Sequence, residues 1–293
     1  MSTPAFVALL RPAQWTKQVF VLAPLLFTGG FAHGATSGRA LLATALFCLL
    51  ASAVYIVNDW KDLEADRQHP KKRLRPLACG AISKPLAACL LAALLVIVLG
   101  ISLRWLPAVL PALACYLALN VAYSFWLKHL PVVDIFALSG SFVLRVWAGA
   151  LAIDVPVSSW MFITALSLAL YMGTLKRRQE LLRQSRTDPT EGGPTRRVLA
   201  AYSLPLLDAY AQMASGAALV FYSLYAITEH PPLVATVPLV MFGLFRYQYI
   251  AQNPELGESP TDAIRSDGWL LACALVWAIT CAWLMVGRME FPG

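Results

Sequence analysis

Charged residues are scarce in this sequence. Asp, Glu, Lys and Arg make up 13% of its 293 residues, whereas soluble domains carry about a quarter. Hydrophobic residues make up 59%, and they form runs of the roughly 17–25 residues that a membrane-spanning helix needs. The alternating pattern of a transmembrane β-barrel is missing. The composition therefore excludes an ordinary soluble domain and predicts an all-α polytopic membrane protein.

The cysteines lack any paired or metal-ligand spacing. Most of the six lie within apolar runs, which predicts small buried side chains rather than disulfides or a zinc site. No basic residue precedes the apolar stretch that ends at Leu10, so we expect no cleavable signal peptide. The net charge of +7 is typical of nucleic-acid binders too, but in a membrane protein it reflects topology and anionic partners. We expect no nucleic-acid partner.

The apolar runs predict nine transmembrane helices in a single domain, residues 1–293. The predicted spans are at about 18–34, 40–58, 84–103, 107–126, 131–152, 159–177, 203–227, 232–251 and 268–287. Three polar loops lie between them, at about 58–83, 176–202 and 252–267. The third contains Ser259-Pro260-Thr261-Asp262, which is typical of a helix start.

The distribution of Lys and Arg predicts the orientation of these spans. Almost all of them lie in the N-terminal segment and in the loops after spans two, four, six and eight, whereas the opposite side has Arg39, Arg104 and Arg288. The positive-inside rule places the N-terminus and the even-numbered loops in the cytoplasm. We therefore predict a multi-pass protein of the inner (plasma) membrane whose chemistry is cytoplasmic.

Residues 58–76 place acids and then bases directly after an apolar run. If helix continues through this block, Asn58, Asp62 and Asp66 share a face at i, i+4 and i+8, and Asp59 lies beside it. Like charges at this spacing repel, and a hard divalent cation removes that penalty. Carboxylate and amide oxygens suit Mg²⁺, which is often shared with substrate phosphates. The block predicts a magnesium site formed by Asn58, Asp62 and Asp66.

The bases that follow could bind phosphate oxygens. They are His69, Lys71, Lys72, Arg73 and Arg75. A charged cytoplasmic loop that merely ends a helix is the alternative. The order of acids and then bases at the mouth of a span favours the phosphate site.

Two charged residues fall in the fifth predicted span, Asp134 at its start and Arg145 within it. A charge at membrane depth is costly, and by default it is expected to face a polar cavity. The two residues share a helix face but are about 16 Å apart along the axis, so they cannot pair directly. We take both as functional candidates, and a structural ion pair with another span is the alternative.

Lys176, Arg177 and Glu180 end the sixth predicted span. Their position is equivalent to that of the 58–76 block, because both leave a span into the cytoplasm. Phosphate binding is one interpretation. Ordinary positive-inside anchoring and a local pair between Lys176 and Glu180 at i, i+4 are the others.

The block Asn58-Asp59-x-x-Asp62-x-x-x-Asp66 resembles the first Asp-rich motif of the UbiA superfamily of intramembrane prenyltransferases. The stretch from Tyr123 to Lys128 resembles that superfamily's Tyr/Lys stretch after the fourth span. The similarity covers nearly the whole chain. It implies a UbiA-like bundle of transmembrane helices with cytoplasmic catalytic loops.

Within the superfamily, the chain is similar to the decaprenyl-phosphate phosphoribosyltransferase branch. The stretches that carry this similarity are Arg11 to Lys17, Asn58 to Pro76, Phe142 to Arg145, Lys176 to Leu181 and Thr195 to Leu199. Ordinary prenyltransferases of the superfamily have a second Asp-rich motif after the sixth span, where this chain has Lys176-Arg177-x-x-Glu180. The replacement of the second acidic motif by basic residues favours one metal cluster, with additional basic side chains that bind phosphates. A phosphoribosyl donor and a lipid phosphate acceptor would require such side chains.

The resemblance implies Mg²⁺-dependent transfer of 5-phosphoribosyl from phosphoribosyl pyrophosphate to polyprenyl phosphate, with release of pyrophosphate, for lipid-linked pentose donors of cell-envelope glycans. Asn58, Asp62 and Asp66 would hold Mg²⁺ on the diphosphate, and Arg67, Lys72 and Arg73 would stabilise the leaving group. The candidates for the other phosphates are Lys17, Lys128, Lys176 and Arg177. Either Asp134 or Glu180 would bond the ribose hydroxyls or face the anomeric centre. The remaining predicted substrate-binding residues are Asp59, His69, Tyr123 and Arg145.

Two other functions fit parts of the pattern. A UbiA-type prenyltransferase would move a prenyl group from its diphosphate to an aromatic acceptor, but the missing second motif disfavours it. A transporter or lipid flippase would use the charges as a path, but transporter sites lie near the midplane, whereas these charges cluster on one side. Association into a homo-oligomer is left open.

Overall fold

The computed structural model describes residues 4–70, 72–186, 197–252 and 267–290, and within these ranges it contains helices and turns but no strand. The α-helices are α1 (Ala5–Leu10), α2 (Ala23–Phe27), α3 (Gly34–Lys61), α4 (Leu63–Gln68), α5 (Lys84–Trp105), α6 (Leu110–Phe125), α7 (Val133–Ile153), α8 (Ser159–Arg186), α9 (Leu204–Glu229), α10 (Val237–Gln252) and α11 (Gly268–Glu290). The 3-10 helices are Pro12–Leu22, Gly30–Ala32, Lys72–Leu74, Pro107–Val109, Leu127–His129, Arg197–Ala201 and Pro231–Thr236. The all-α prediction is confirmed.

Seven helical segments of the described chain are long and apolar enough to cross a membrane. They are Gly34–Lys61, Lys84–Trp105, Pro107–Phe125, Val133–Ile153, Leu204–Glu229, Pro231–Gln252 and Gly268–Val286. These segments match seven of the nine predicted spans. The predicted helix start at 259–262, and almost all of the predicted loop 252–267, lie outside the described residues.

The predicted first span, at about 18–34, is not a regular α-helix. The 3-10 helix Pro12–Leu22 is followed by α2, which has five residues. Gly29, with a φ of 69°, then turns the chain, a conformation that glycine adopts without the steric cost of a Cβ. The chain therefore enters the bundle in short, separately oriented helical pieces.

The predicted sixth span, at about 159–177, is the first part of α8. Helix α8 continues to Arg186, so residues 176–186 are helical rather than part of a loop. The Arg, Gln, Glu and Leu residues in this stretch are good helix formers, and none of them breaks a helix.

Helices α3 and α7 form the centre of the bundle. In their most apolar stretches, 56% and 61% of the residues are buried, against 22–28% in the other five segments. Phe47 on α3, Tyr116 on α6 and Ala148 on α7 belong to one buried cluster that also includes Val21 of the first 3-10 helix. The helix that carries Asp134 and Arg145 is therefore held from several sides.

Helix α7 packs closely against the first 3-10 helix at Gly149. A Cβ on Gly149 would lie 1.9 Å from the carbonyl oxygen of Val21, so only glycine allows α7 to pack against the first 3-10 helix at this distance.

We expect Gly149→Ala to lower the free energy of unfolding by about 1–3 kcal/mol, because the backbones must separate to admit the methyl group. Thermal unfolding in detergent would measure this. Gly216→Ala is the matched control, since nothing lies within 4 Å of a Cβ at Gly216 on α9. Equal unfolding temperatures for the two variants would contradict the close approach.

Polar residues collect at one end of the bundle. Asn58 near the end of α3 accepts a hydrogen bond from Ser124 near the end of α6. Asp134 at the start of α7 pairs with Arg177 in the second half of α8. Tyr123 near the end of α6 bonds Arg177, and Lys128 after α6 pairs with Asp62 after α3. These contacts bring the two groups to the same end of the bundle, and the candidate site lies there.

Candidate active site

The acids after the second predicted span keep helical register across a break. Helix α3 ends at Lys61, Asp62 is its C-cap, and α4 begins at Leu63. Nevertheless the Asp62 N–H donates to the Asn58 carbonyl at 2.9 Å, and the Asp66 N–H donates to the Asp62 carbonyl at 2.8 Å. The i, i+4 backbone hydrogen bonds therefore continue through Asp62, although the helix is interrupted there, and the shared metal-binding face of Asn58, Asp62 and Asp66 stays a prediction.

The carboxylates of Asp59, Asp62 and Asp66 each contact a basic side chain. Lys128 Nζ lies 2.9 Å from Asp62 Oδ1. Arg75 Nη1 lies 2.5 Å from Asp66 Oδ2 and 3.2 Å from Asp59 Oδ1. Arg11 also pairs with Asp59 Oδ1. The sequence predicts acids for metal and bases for phosphate, whereas the structure pairs the two. Arg11, Asp59, Arg75 and Asp66 form one ion-pair network, and Lys128 and Asp62 form a second pair.

The side chains of Asn58, Asp62 and Asp66 fit Mg²⁺ by their chemistry. They supply carboxylate and amide oxygens, which this hard cation prefers. Asp59 is 1% exposed, and its Oδ2 has no hydrogen-bond partner, so one buried acceptor is available. Within the described ranges, no three Asp, Glu, His or Cys side chains are close enough to hold one ion. Instead, Asp62 is turned to Lys128 and Asp66 to Arg75.

Arg177 is the centre of a second cluster. Its Nε donates to Asp134 Oδ2 at 2.5 Å, its Nη2 donates to the Tyr123 hydroxyl at 2.7 Å, and its Nη1 pairs with Glu180. Both Arg177 and Asp134 are fully buried, whereas the Glu180 side chain is 25% exposed. The guanidinium therefore acts inside the protein, and Glu180 is a member of the cluster that a ligand can reach.

Asp134 accepts hydrogen bonds on both carboxylate oxygens. The second oxygen, Oδ1, accepts from the Tyr202 hydroxyl at 2.6 Å. The alternative interpretation of Asp134, an ion pair between helices, describes this geometry. Direct contact of Asp134 or Arg177 with a substrate stays a prediction, and neither side chain is exposed in the structure.

Glu180 pairs with Arg177, three residues earlier on the same helix. Lys176, the other candidate partner of Glu180, is half-buried on this helix. The local i, i+4 pair between Lys176 and Glu180 stays a prediction. Lys176 stays a predicted phosphate ligand.

Arg145 lies in the interior without an acidic partner among the described residues. Its Nε donates to Gln18 Oε1 at 2.7 Å, its Nη1 to the Ser141 carbonyl at 2.5 Å, and its Nη2 to the Tyr116 hydroxyl at 3.0 Å. The predicted absence of a direct Asp134–Arg145 pair is confirmed. Arg145 joins α7 to α6 and to the first 3-10 helix through neutral groups.

We expect Arg145→Lys to lower the free energy of unfolding by about 2 kcal/mol, because an ammonium cannot reproduce the planar fork that reaches three partners. Thermal unfolding would report the loss. Arg104→Lys is the matched control, since Arg104 is exposed and its guanidinium lies over the neighbouring Trp105 ring. If the two variants unfold at the same temperature, Arg145 does not hold these helices together.

The other predicted phosphate ligands lie on the first 3-10 helix and on the segment from α4 to the 3-10 helix Lys72–Leu74. Lys17 lies half-buried on the first 3-10 helix. Arg67 is exposed and pairs with Glu64 at 3.1 Å. His69 accepts the Lys72 backbone N–H on Nδ1 at 3.4 Å. Lys72 and Arg73 are exposed on the 3-10 helix Lys72–Leu74, where a ligand could reach them.

Sequence reasoning missed several partners of the site. Arg11 belongs to a stretch that carries the family resemblance, and Arg75 belongs to the run of bases after Asp66. The sequence pattern does not pair either of them with Asp59. Ser124, Tyr202 and Gln18 gave no local signal. Their partners lie 66, 68 and 127 residues away along the chain.

A sequence model described as the UbiA prenyltransferase family matches residues 19–261 of the chain. The chain belongs to the UbiA family. This UbiA-family protein is 35% identical to a decaprenyl-phosphate phosphoribosyltransferase of Corynebacterium glutamicum, over 92% of this chain and 82% of the relative. It is 34% identical to the enzyme of that name from Mycobacterium tuberculosis, over 94% and 92%.

Solved structures agree with the family's fold. A UbiA homolog from Archaeoglobus fulgidus bound to GPP and Mg²⁺ superimposes with a TM-score of 0.72 at 18% identity, over 98% of this chain and 100% of that one. The same homolog bound to DMAPP and Mg²⁺ gives 0.72 at 19% identity, over 97% and 98%. At this identity the likeness shows the fold of the UbiA-family protein. The resemblance predicted from the Asp-rich motif is confirmed.

Proposed function

We propose that this UbiA-family protein transfers 5-phosphoribosyl from phosphoribosyl pyrophosphate to a polyprenyl phosphate of the decaprenyl type and releases pyrophosphate. The observation that carries the proposal is the pair of relatives named for this phosphoribosyl transfer, which cover more than nine-tenths of the chain at 34–35% identity. The geometry after the sixth predicted span is in keeping with it, because Arg177 and Glu180 occupy the place of a second acidic motif.

We further propose one membrane domain over residues 1–293, with nine spans and with the polar end in the cytoplasm. The excess of Lys and Arg in the loops at that end supports this orientation. The inner (plasma) membrane is then the location, and both substrates reach the site from its cytoplasmic face. Products of this kind would supply lipid-linked pentose for cell-envelope glycans.

Asn58, Asp62 and Asp66 would hold Mg²⁺. When bound, the cation would offset the negative charge of the diphosphate. Lys128, which is 2.9 Å from Asp62, and Arg75, which bridges Asp59 and Asp66, place positive charge where charge would grow on the leaving group. Arg67, Lys72 and Arg73 are exposed nearby and would bind further phosphate oxygens.

In the proposed reaction, the bond between the anomeric carbon and the diphosphate oxygen breaks, and its electron pair leaves with pyrophosphate. An oxygen of the lipid phosphate forms the new bond from the opposite face, so the configuration inverts. Because the acceptor is already an anion, the site needs no strong general base. Glu180, partly exposed and held by Arg177, would accept hydrogen bonds from the ribose hydroxyls or face the positive anomeric centre.

Release of pyrophosphate tests this proposal. Purified protein with Mg²⁺ and phosphoribosyl pyrophosphate should release pyrophosphate when polyprenyl phosphate is present, and should release none when the lipid is left out. Equal release with and without the lipid would show hydrolysis rather than transfer and would contradict the proposal.

A further inference from the structure

Tyr202 contacts two parts of the candidate site from outside it. It lies between the 3-10 helix Arg197–Ala201 and helix α9, and it is 7% exposed. Its hydroxyl donates to Asp134 Oδ1 and accepts the Val132 backbone N–H, both at 2.6 Å. One phenol thus joins the segment before α9 to the start of α7.

The contact with Asp134 connects Tyr202, through Arg177, to Glu180, which a ligand can reach. Asp134 binds Tyr202 through one oxygen and Arg177 through the other, and Arg177 in turn pairs with Glu180. The two middle members are fully buried and Glu180 is partly exposed. A buried carboxylate that accepts on both oxygens has one preferred orientation, and it fixes the guanidinium that it holds.

The contact with Val132 fixes the backbone at the same place. Val132 has a φ of 67° and a ψ of −48°, which is rare for a β-branched residue and persists only where the surroundings hold it. Its N–H is satisfied by Tyr202. The loop that it ends carries Lys128, the partner of Asp62.

The Tyr202 hydroxyl is suited to this role at neutral pH. Burial first, and then the hydrogen bond to the Asp134 carboxylate, raise the pKa of Tyr202 above its ordinary value. The phenol therefore stays protonated and remains a donor.

We propose that Tyr202 is a positioning residue that orients Glu180 toward the ribose of the donor, through Asp134 and Arg177. This inference rests on the proposed function. Tyr202 itself does not touch a substrate, and its hydroxyl acts by holding Asp134 in one orientation.

A double-mutant cycle between Tyr202→Phe and Glu180→Gln tests this coupling. Tyr202→Phe keeps the ring and removes the hydrogen bonds. We expect it to lower kcat/KM for phosphoribosyl pyrophosphate about ten- to a hundredfold and to leave KM for the lipid phosphate unchanged. In the Glu180→Gln background, the same substitution should have little further effect.

Tyr222→Phe is the matched control. Tyr222 is also a buried phenol, bonded to Thr236 and Trp277 near the opposite end of α9. It should lower the unfolding temperature without changing kcat/KM for either substrate. Should Tyr202→Phe not be obtained folded, Asp134→Glu enters the same cycle, because it keeps the negative charge beside Arg177 and changes the orientation of the carboxylate.

The outcomes are distinct. Loss of kcat/KM that is absent in the Glu180→Gln background supports the inference. Losses that multiply would show that Tyr202 acts independently of Glu180, and an unchanged kcat/KM with a lower unfolding temperature would show that it only stabilises the fold. Either result would overturn the inference. Failure of the wild-type protein to form lipid-linked phosphoribose would instead overturn the proposed function.

Discussion

Asp62→Asn should reduce phosphoribosyl transfer by about a hundred- to a thousandfold while the protein stays folded. The substitution removes a negative charge from the predicted Mg²⁺ site and so weakens the stabilisation of charge on the leaving group. The side chain is 41% exposed, and an exposed pair such as Asp62–Lys128 contributes about 1 kcal/mol or less to stability. Steady-state turnover at saturating Mg²⁺, together with thermal unfolding, would measure both effects.

Glu64→Gln is the control for Asp62→Asn. Glu64 lies two residues further on, is 74% exposed and pairs with Arg67, so its substitution removes the same charge from the same segment. We expect turnover close to that of the wild-type protein. A normal rate for Asp62→Asn would refute the assignment of Asp62 to the metal site.

Arg177→Met should lose both stability and activity. It leaves the fully buried Asp134 without its counter-ion, and breaking a buried pair in this way costs about 3–5 kcal/mol. It also removes the group that holds Glu180 and Tyr123, so turnover of the remaining folded protein should fall. Thermal unfolding in detergent and turnover per folded protein are the two measurements.

A second substitution separates the two effects of Arg177→Met. Adding Asp134→Leu removes the unpaired charge and should restore part of the stability, but not the activity, because Glu180 still lacks its partner.

Arg178→Met provides the comparison for Arg177→Met on the same helix. Its pair with Asp208 is partly exposed, so we expect a loss of about 1 kcal/mol or less. A larger loss for Arg178→Met than for Arg177→Met would contradict the account of the buried cluster.

The features that could be predicted from the sequence depend on the spacing of residues that are close along the chain. The register of Asn58, Asp62 and Asp66 follows from helical periodicity, and it survives a change of helix at Asp62 because the backbone hydrogen bonds continue. The separation of Asp134 from Arg145 follows from the helix rise. Seven of the nine predicted spans follow from the length and apolarity of their runs.

The side chains that contact these residues could not be predicted from local spacing. Lys128 meets Asp62 from 66 residues away, and Tyr202 meets Asp134 from 68, and no local pattern encodes which helix ends become neighbours. The first predicted span shows a different limit. Its apolarity suggested one helix, whereas Gly29 and the two 3-10 pieces divide it.

A donor-swap assay with the wild-type protein and Mg²⁺ in liposomes tests the central proposal most directly. One arm contains phosphoribosyl pyrophosphate and polyprenyl phosphate, and the other contains polyprenyl diphosphate and an aromatic acceptor. The account predicts a lipid-linked phosphoribose in the first arm and no product in the second. A prenylated aromatic product in the second arm alone would contradict it, and would mean that the Asp-rich block binds a prenyl diphosphate.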